Sequence, residues 1–248
     1  MSRAIPLLLI IGALTVGSSC TQEMRATVGV AASLRGVMPE VARAYEETTG
    51  ASAPLFSFGA SGTLAKQLEA GAPLDGVVLA SETDVYSLVS QGLLEPRTRA
   101  VLARNTLVLA GRQGESSERL SELSRAERTS RIAIGDPRFV AAGEHARAAL
   151  VIRDLWEKIA HRAIFTRDVT AAVALLRRGE VNHALIYDTD VRRQPELRVI
   201  ETIRAPRQPV VIAARAPHAQ RLSAFYAFLK TSRSATIFEE HGFEVSTP

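Results

Sequence analysis

The chain has 248 residues, 46% hydrophobic and 23% charged, and its 30 Lys and Arg against 26 Asp and Glu leave a formal charge of +4. That length supports one large core or two modest ones, and the composition is that of a globular protein without low-complexity tracts or solenoid repeats. The basic residues are scattered among acids and do not form a stripe with interleaved aromatics, which excludes an evident nucleic-acid surface.

The N-terminus differs from the rest. Arg3 is followed by the apolar and small run Ala4–Val16, then Gly17, Ser18, Ser19 and Cys20, before the polar stretch Thr21–Arg25. A charged start, a short apolar run and a small-residue end make up a secretory signal, here residues 1–20. Cys20 is the only cysteine, so the mature chain is expected to hold no internal disulfide. Its position resembles a bacterial lipoprotein cleavage site, with Gly17 where such sites usually carry Leu. Two forms follow, one lipidated at Cys20 and one cleaved and soluble, and both act outside the cytoplasmic membrane.

From Ala26 onward strand and helix patterns alternate. Ala26–Ala32 reads as a strand. Leu34, Val37, Met38, Val41 and Tyr45 then fall at helical spacing, disturbed by Pro39 and closed by Gly50. Strands are expected at Leu55–Phe58 and Val77–Ala80, each followed by a helix (Leu64–Ala70 and Val85–Leu94). Further on, Leu107–Ala110 and Arg131–Gly135 read as strands. Ala148, Val151, Ile152, Leu155 and Ile159 predict one long amphipathic helix. A shorter helix carries Val169, Ala172, Val173 and Leu176 up to Gly179. Ala184–Tyr187 and Val210–Ala214 are the last predicted strands, before helices that bury Leu222, Phe225, Leu229 and Phe238. Such alternation predicts an α/β fold of mostly parallel sheets flanked by helices, with ligands just beyond the carboxyl ends of the strands.

Four junctions in those places share one character: Ala-Ala-Ser33-Leu, Gly-Ala-Ser61-Gly-Thr, Val-Ala-Ala142-Gly and Arg-Asp-Val169-Thr. Each sets small or hydroxyl-bearing residues at an expected helix start, where free N–H groups and a partial positive charge hold an anion without a cationic side chain. Each serine, taken singly, also reads as an ordinary N-cap. Tyr187, Trp156, Phe139 and the C-terminal phenylalanines read as packing residues on pattern alone. The five histidines, His145, His161, His183, His218 and His241, lack metal-ligand spacing, so no metal or cofactor is expected. Gly59-Ala-Ser61-Gly62 is one residue short of the nucleophile elbow of a hydrolase, which leaves Ser61 a poor nucleophile candidate and the chain an expected non-enzyme.

Val28-Gly-Val-Ala-Ala-Ser33-Leu, the run from Phe58-Gly-Ala-Ser61 to Pro73, Gly135-Asp-Pro137 with Ala142-Gly143, Asp168-Val169 and Ile186-Tyr187 together resemble the periplasmic molybdate-binding proteins of ABC importers, which are type II solute-binding proteins. Phe225–Lys230 and Ile237–Phe243 resemble that family's C-terminal end, so the likeness runs through nearly the whole mature chain. It implies a two-lobed fold with two hinge strands. Residues 25–105 plus 206–248 would form one lobe and residues 106–205 the other, crossing near Asn105–Leu107 and Thr202–Pro209. It implies Ser33, Ser61, Ala142, Val169 and Tyr187 as ligands of molybdate or tungstate, with sulfate the serious competitor. The implied partners are the importer's permease and ATPase subunits, and the implied form is a monomer. The stretch Asp75–Glu82 departs from the family, with Leu79 and Ser81 where a Ser and a further acid are usual, which bears on partner contacts or cleft closure and not on direct ligation.

Overall fold

The computed structural model describes residues 25–115, 118–125, 130–203, 208–215 and 218–245. The predicted signal at 1–20, with Cys20, lies outside the described residues, as do residues 204–207 in the expected second crossing.

In chain order the first elements are β1 (Thr27–Ala31), α1 (Met38–Thr49), β2 (Leu55–Gly59), α2 (Ser61–Glu69), β3 (Gly76–Leu79), α3 (Glu82–Ser90) and β4 (Ala100–Asn105). Next come β5 (Leu107–Arg112), α4 (Leu120–Leu123), β6 (Ile132–Gly135), α5 (Ala141–Ile152), α6 (Trp156–Ala160), β7 (Ala163–Thr166), α7 (Val169–Arg177), β8 (His183–Tyr187), α8 (Asp188–Arg192) and β9 (Leu197–Thr202). The chain then returns through β10 (Gln208–Ala214), α9 (Ala219–Phe228), α10 (Ser232–Glu240) and β11 (Glu244–Val245). Pro39 lies in the first turn of α1, where its missing N–H is no loss, and Leu34 belongs to a separate 3-10 turn, Ala32–Leu34.

Two sheets result, ordered β11-β4-β10-β3-β1-β2 and β7-β6-β8-β5-β9. Each is the centre of one lobe of an α/β fold. The expectation of mostly parallel sheets is corrected, because both are mixed. In the first sheet β1 pairs parallel with β2 and β3, while β10 runs antiparallel to β3 and β4. In the second, β6 is parallel to β7 and β8, while β5 is antiparallel to β8 and β9. The cause is the route of the chain. Strands β4 and β5 form one outward run broken only at Thr106, and β9 and β10 carry the chain back. Outgoing and returning strands that lie side by side must be antiparallel, whereas parallel neighbours need a long crossover, which the helices supply at the other edge of each sheet.

The apolar strand runs are explained by burial on both faces. In the first sheet Val78, Val210 and Ile212 pack with α1 and α9 residues such as Met38, Leu222 and Phe225. Their neighbours Val77, Leu79, Val211 and Ala213 pack on the other face with Leu64, Leu68, Val85 and Leu88. A separate core surrounds the second sheet, built on Leu109, Ile134, Leu185 and Ile186 with Leu150 and Leu176 from the helices.

The single long helix expected through Ile159 is two helices. Asp154 adopts a left-handed conformation, φ 54°, and ends α5. Its N–H donates to Val151 O at 3.0 Å and the Leu155 N–H to Leu150 O at 2.9 Å, a Schellman ending. The buried side of α5 is Ala142, Ala146, Ala149 and Leu150, while Val151 and Ile152 are 49% and 82% exposed.

Candidate functional site

The lobes meet with their strand ends facing each other, and the structure brings all five sequence-predicted residues to one cavity there. Ser33 sits in the 3-10 turn after β1, Ser61 opens α2, Ala142 lies in the first turn of α5, Val169 opens α7, and Tyr187 ends β8. All five are buried, and all five line a cavity of about 20 Å³ with Ala31, Ala32, Ala60, Ala80, Val140, Ala141 and Asp168. That volume is little more than a single water molecule requires.

Local sequence explains why this surface offers hydrogen-bond donors. The N-caps of α2 and α5 are Ala60 and Val140, residues that cannot cap with a side chain, so the N–H groups of Ser61, Ala141 and Ala142 at the helix starts are not consumed by a cap. At α7 the cap is Asp168, whose Oδ1 accepts from the Ala171 N–H at 2.8 Å. That bond uses Asp168, the one charged side chain among the described residues lining the cavity, to satisfy its own helix. Close approach of α5 to the end of β6 depends on Gly143, where a Cβ would lie 1.9 Å from Gly135 O.

The hydroxyls have defined roles. Ser61 Oγ accepts from the Ala80 N–H at 3.1 Å, which leaves its own proton to be donated elsewhere, and the cavity is the adjoining space. Tyr187 is 1% exposed, and its Oη finds no hydrogen-bond partner among the described residues. Burial pushes its pKa up, reinforced by the Asp190 and Glu144 carboxylates, so the phenol stays a neutral donor.

The nearby charges are acidic. Asp190 is 4% exposed and accepts from the Tyr187 N–H at 3.3 Å. Burial raises its pKa to about 7 against the pull of Arg193 and the Tyr187 N–H. Glu144, in the first turn of α5, is also raised, by burial first and by Asp84 of the opposite lobe second. Among the described residues that line the cavity none is cationic, so positive potential at its wall comes from the helix N-termini.

Alpha-helix α8, directly after Tyr187, ties the site to the crossing strands. The Asp188 N–H donates to Thr106 O at 2.9 Å, and Asn105 Nδ2 donates to Thr189 Oγ1 at 2.9 Å between buried side chains. The two departures from the family pattern lie in the framework. Leu79 is fully buried, and Ser81 Oγ caps α3 by accepting from the Asp84 N–H at 3.1 Å.

A model of the family described as bacterial extracellular solute-binding protein matches residues 26–244. The chain belongs to that family. Among its curated relatives, the solute-binding chain is 30% identical to the molybdate-binding protein ModA of Escherichia coli over 239 residues, covering 92% of each chain. It is 33% identical to the molybdate-binding protein ModA of Haemophilus influenzae over 202 residues, covering 79% of each. Its fold matches the periplasmic molybdate-binding protein of Azotobacter vinelandii with a TM-score of 0.79 at 19% identity, over 90% of this chain and all of that one.

Sequence reasoning missed Asp190, Ala80 as part of the cavity wall and a contact between Gly62 and Phe139. Ala80 carries a readable signal, since a small residue at a strand end lets backbone approach a ligand. The other features depend on how the lobes meet.

Proposed function

We propose that this protein captures molybdate or tungstate outside the cytoplasmic membrane and hands it to the permease and ATPase subunits of an ABC importer. The observation that carries the reading is one small cavity, of about 20 Å³, lined by Ser33, Ser61, Ala142, Val169 and Tyr187 together. In this reading Ser33 and Ser61 donate hydroxyl and backbone hydrogens, Ala142 and Val169 donate backbone hydrogens, and Tyr187 donates its phenol proton. The unused Tyr187 Oη supports it, because a buried donor without an acceptor is costly unless a ligand supplies one. A set of donors suits a tetrahedral dianion that carries no proton at neutral pH, and it avoids burying unpaired cations. The small volume favours an inorganic ion over an organic acid or sugar phosphate. The likeness to molybdate-binding proteins over most of both chains favours molybdate over sulfate, which shares the charge and shape.

A serine hydrolase is disfavoured by the same geometry. Ser61 Oγ is engaged as an acceptor by the Ala80 N–H, and among the described residues no histidine lines the cavity to act as its base. We read the protein as a binding protein without catalytic activity, monomeric, and exported either in soluble form or anchored through Cys20.

The test is thermal unfolding of the mature protein with molybdate, tungstate, sulfate and phosphate added separately. A ligand at about 100 times its dissociation constant stabilises by about 2.7 kcal/mol, or roughly 5–10 °C for a chain of this size. A shift with molybdate and tungstate alone supports the reading. A shift with sulfate alone keeps the cleft and changes the cargo, and no shift with any of them overturns it.

A further inference from the structure

Across the mouth of the cavity the two lobes also touch each other directly. The Gly62 N–H, in the first turn of α2, donates to the Phe139 carbonyl at 3.0 Å. An amide in that turn has no partner inside its own helix, so the opposite lobe supplies the acceptor. Phe139 is held by a tight turn between β6 and α5. Its N–H donates to Asp136 O at 3.0 Å, the Val140 N–H donates to the same oxygen at 2.8 Å, and the Arg138 N–H donates to Asp136 Oδ1 at 3.0 Å. From α2, Lys66 Nζ lies 5.9 Å from the centre of the Phe139 ring.

The approach leaves no room for a side chain. A Cβ on Gly62 would lie 2.9 Å from Phe139 O, 3.2 Å from its Cα and 3.3 Å from its carbonyl carbon. All three are backbone atoms braced by the turn, so they cannot move aside as a flexible side chain would. The contact is one residue from Ser61 and three from Ala142, the two cavity residues that belong to opposite lobes.

We propose that the Gly62–Phe139 backbone contact is the stop that sets how far the lobes close, which makes Gly62 a positioning and size-selecting residue for the bound anion. The proposal rests on the oxyanion reading of the cavity. Widening the stop draws the donors of Ser61 and Ala142 apart, and a smaller anion then reaches fewer of them than a larger one.

The experiment compares wild type, Gly62→Ala and Phe139→Ala by calorimetric titration with molybdate and sulfate, alongside melting without anion. Gly62→Ala is expected to weaken molybdate binding by at least about tenfold, or about 1.4 kcal/mol. Binding of sulfate, the smaller ion, is expected to fall by a larger factor than that of molybdate. Phe139→Ala keeps the carbonyl and is expected to stay within about threefold of wild type, because the half-buried ring contributes cation–π contacts with Arg138 and Lys66 and not the backbone stop. Melting without anion is expected to stay within about 2 °C for Gly62→Ala, since half-buried Gly62 lies outside the hydrophobic cores and the lobes can part slightly to admit the added methyl. Wild-type affinity in Gly62→Ala, an equal loss in both variants, or a fall in melting temperature large enough to account for the loss overturns the proposal. If the wild type binds neither anion, the oxyanion reading fails separately. The stop is then judged by hydrogen exchange of the Gly62 amide without anion: a protected amide supports it, and an amide exchanging at its intrinsic rate overturns it.

Discussion

Removing the Tyr187 hydroxyl should weaken anion binding and at the same time relieve the empty closed cleft. In the closed lobes Oη is buried without a partner, a state that costs about 1–3 kcal/mol. Tyr187→Phe removes that penalty and so moves the anion-free protein toward closure by a factor of about 5–150. A bound dianion supplies the missing acceptor, and a hydrogen bond to a charged group contributes about 1.5–3 kcal/mol. Its loss should weaken molybdate binding about 10- to 150-fold. Calorimetric titration reads the affinity, and small-angle scattering without anion reads the closure as a smaller radius of gyration. Unchanged affinity, or an anion-free Tyr187→Phe protein that melts several degrees lower, would show that the hydroxyl serves the fold and not the ligand.

The other predictions concern neighbouring groups. Ser61→Ala removes a donor to the ligand and also strands the buried Ala80 N–H, so affinity should fall and anion-free stability should drop by about 1–3 kcal/mol in denaturant melts. Asp190 has a folded pKa of about 7, above its ordinary value of 3.8, so the native state holds the proton more tightly than the unfolded chain. Its contribution to stability is therefore fully present above pH 7 only as a deficit: stability falls as pH rises from about 4 to about 7 and is level beyond. Asp190→Asn should flatten the fall between pH 5 and 8 by about 2 kcal/mol in paired denaturation curves, and parallel curves for the two proteins refute the assignment. Cys20→Ser should release the exported protein from the membrane fraction, and a wild type already fully soluble after export excludes the anchor.

Most of the element list was legible because it depends on local pattern. Apolar strand runs, helical spacing closed by Gly50 and Gly179, and the small residues at Ser33, Ser61, Ala142 and Val169 are properties of a few residues each. The misread helix through Ile159 shows the limit of that logic. Val151 and Ile152 fit a helical stripe, but the left-handed Asp154 ended the helix and left Ile152 82% exposed. Strand direction was also beyond local pattern, because whether β10 runs with or against β3 depends on the chain's return from the other lobe. Tyr187 looked like a core residue by pattern, and its resemblance to a ligand position singled it out.

The sequence by itself thus determined an α/β chain and which segments offer short side chains at the helix starts. Only the tertiary structure decided that these residues, drawn from stretches as far apart as Ser33 and Tyr187, line one cavity of about 20 Å³, and that Tyr187 Oη is buried without a partner among the described residues. The same holds for the Gly62 amide, whose partner at Phe139 lies in the opposite lobe. Local spacing specifies which groups a segment presents, whereas distances across the cleft follow from the packing of two separate cores and the strands that join them.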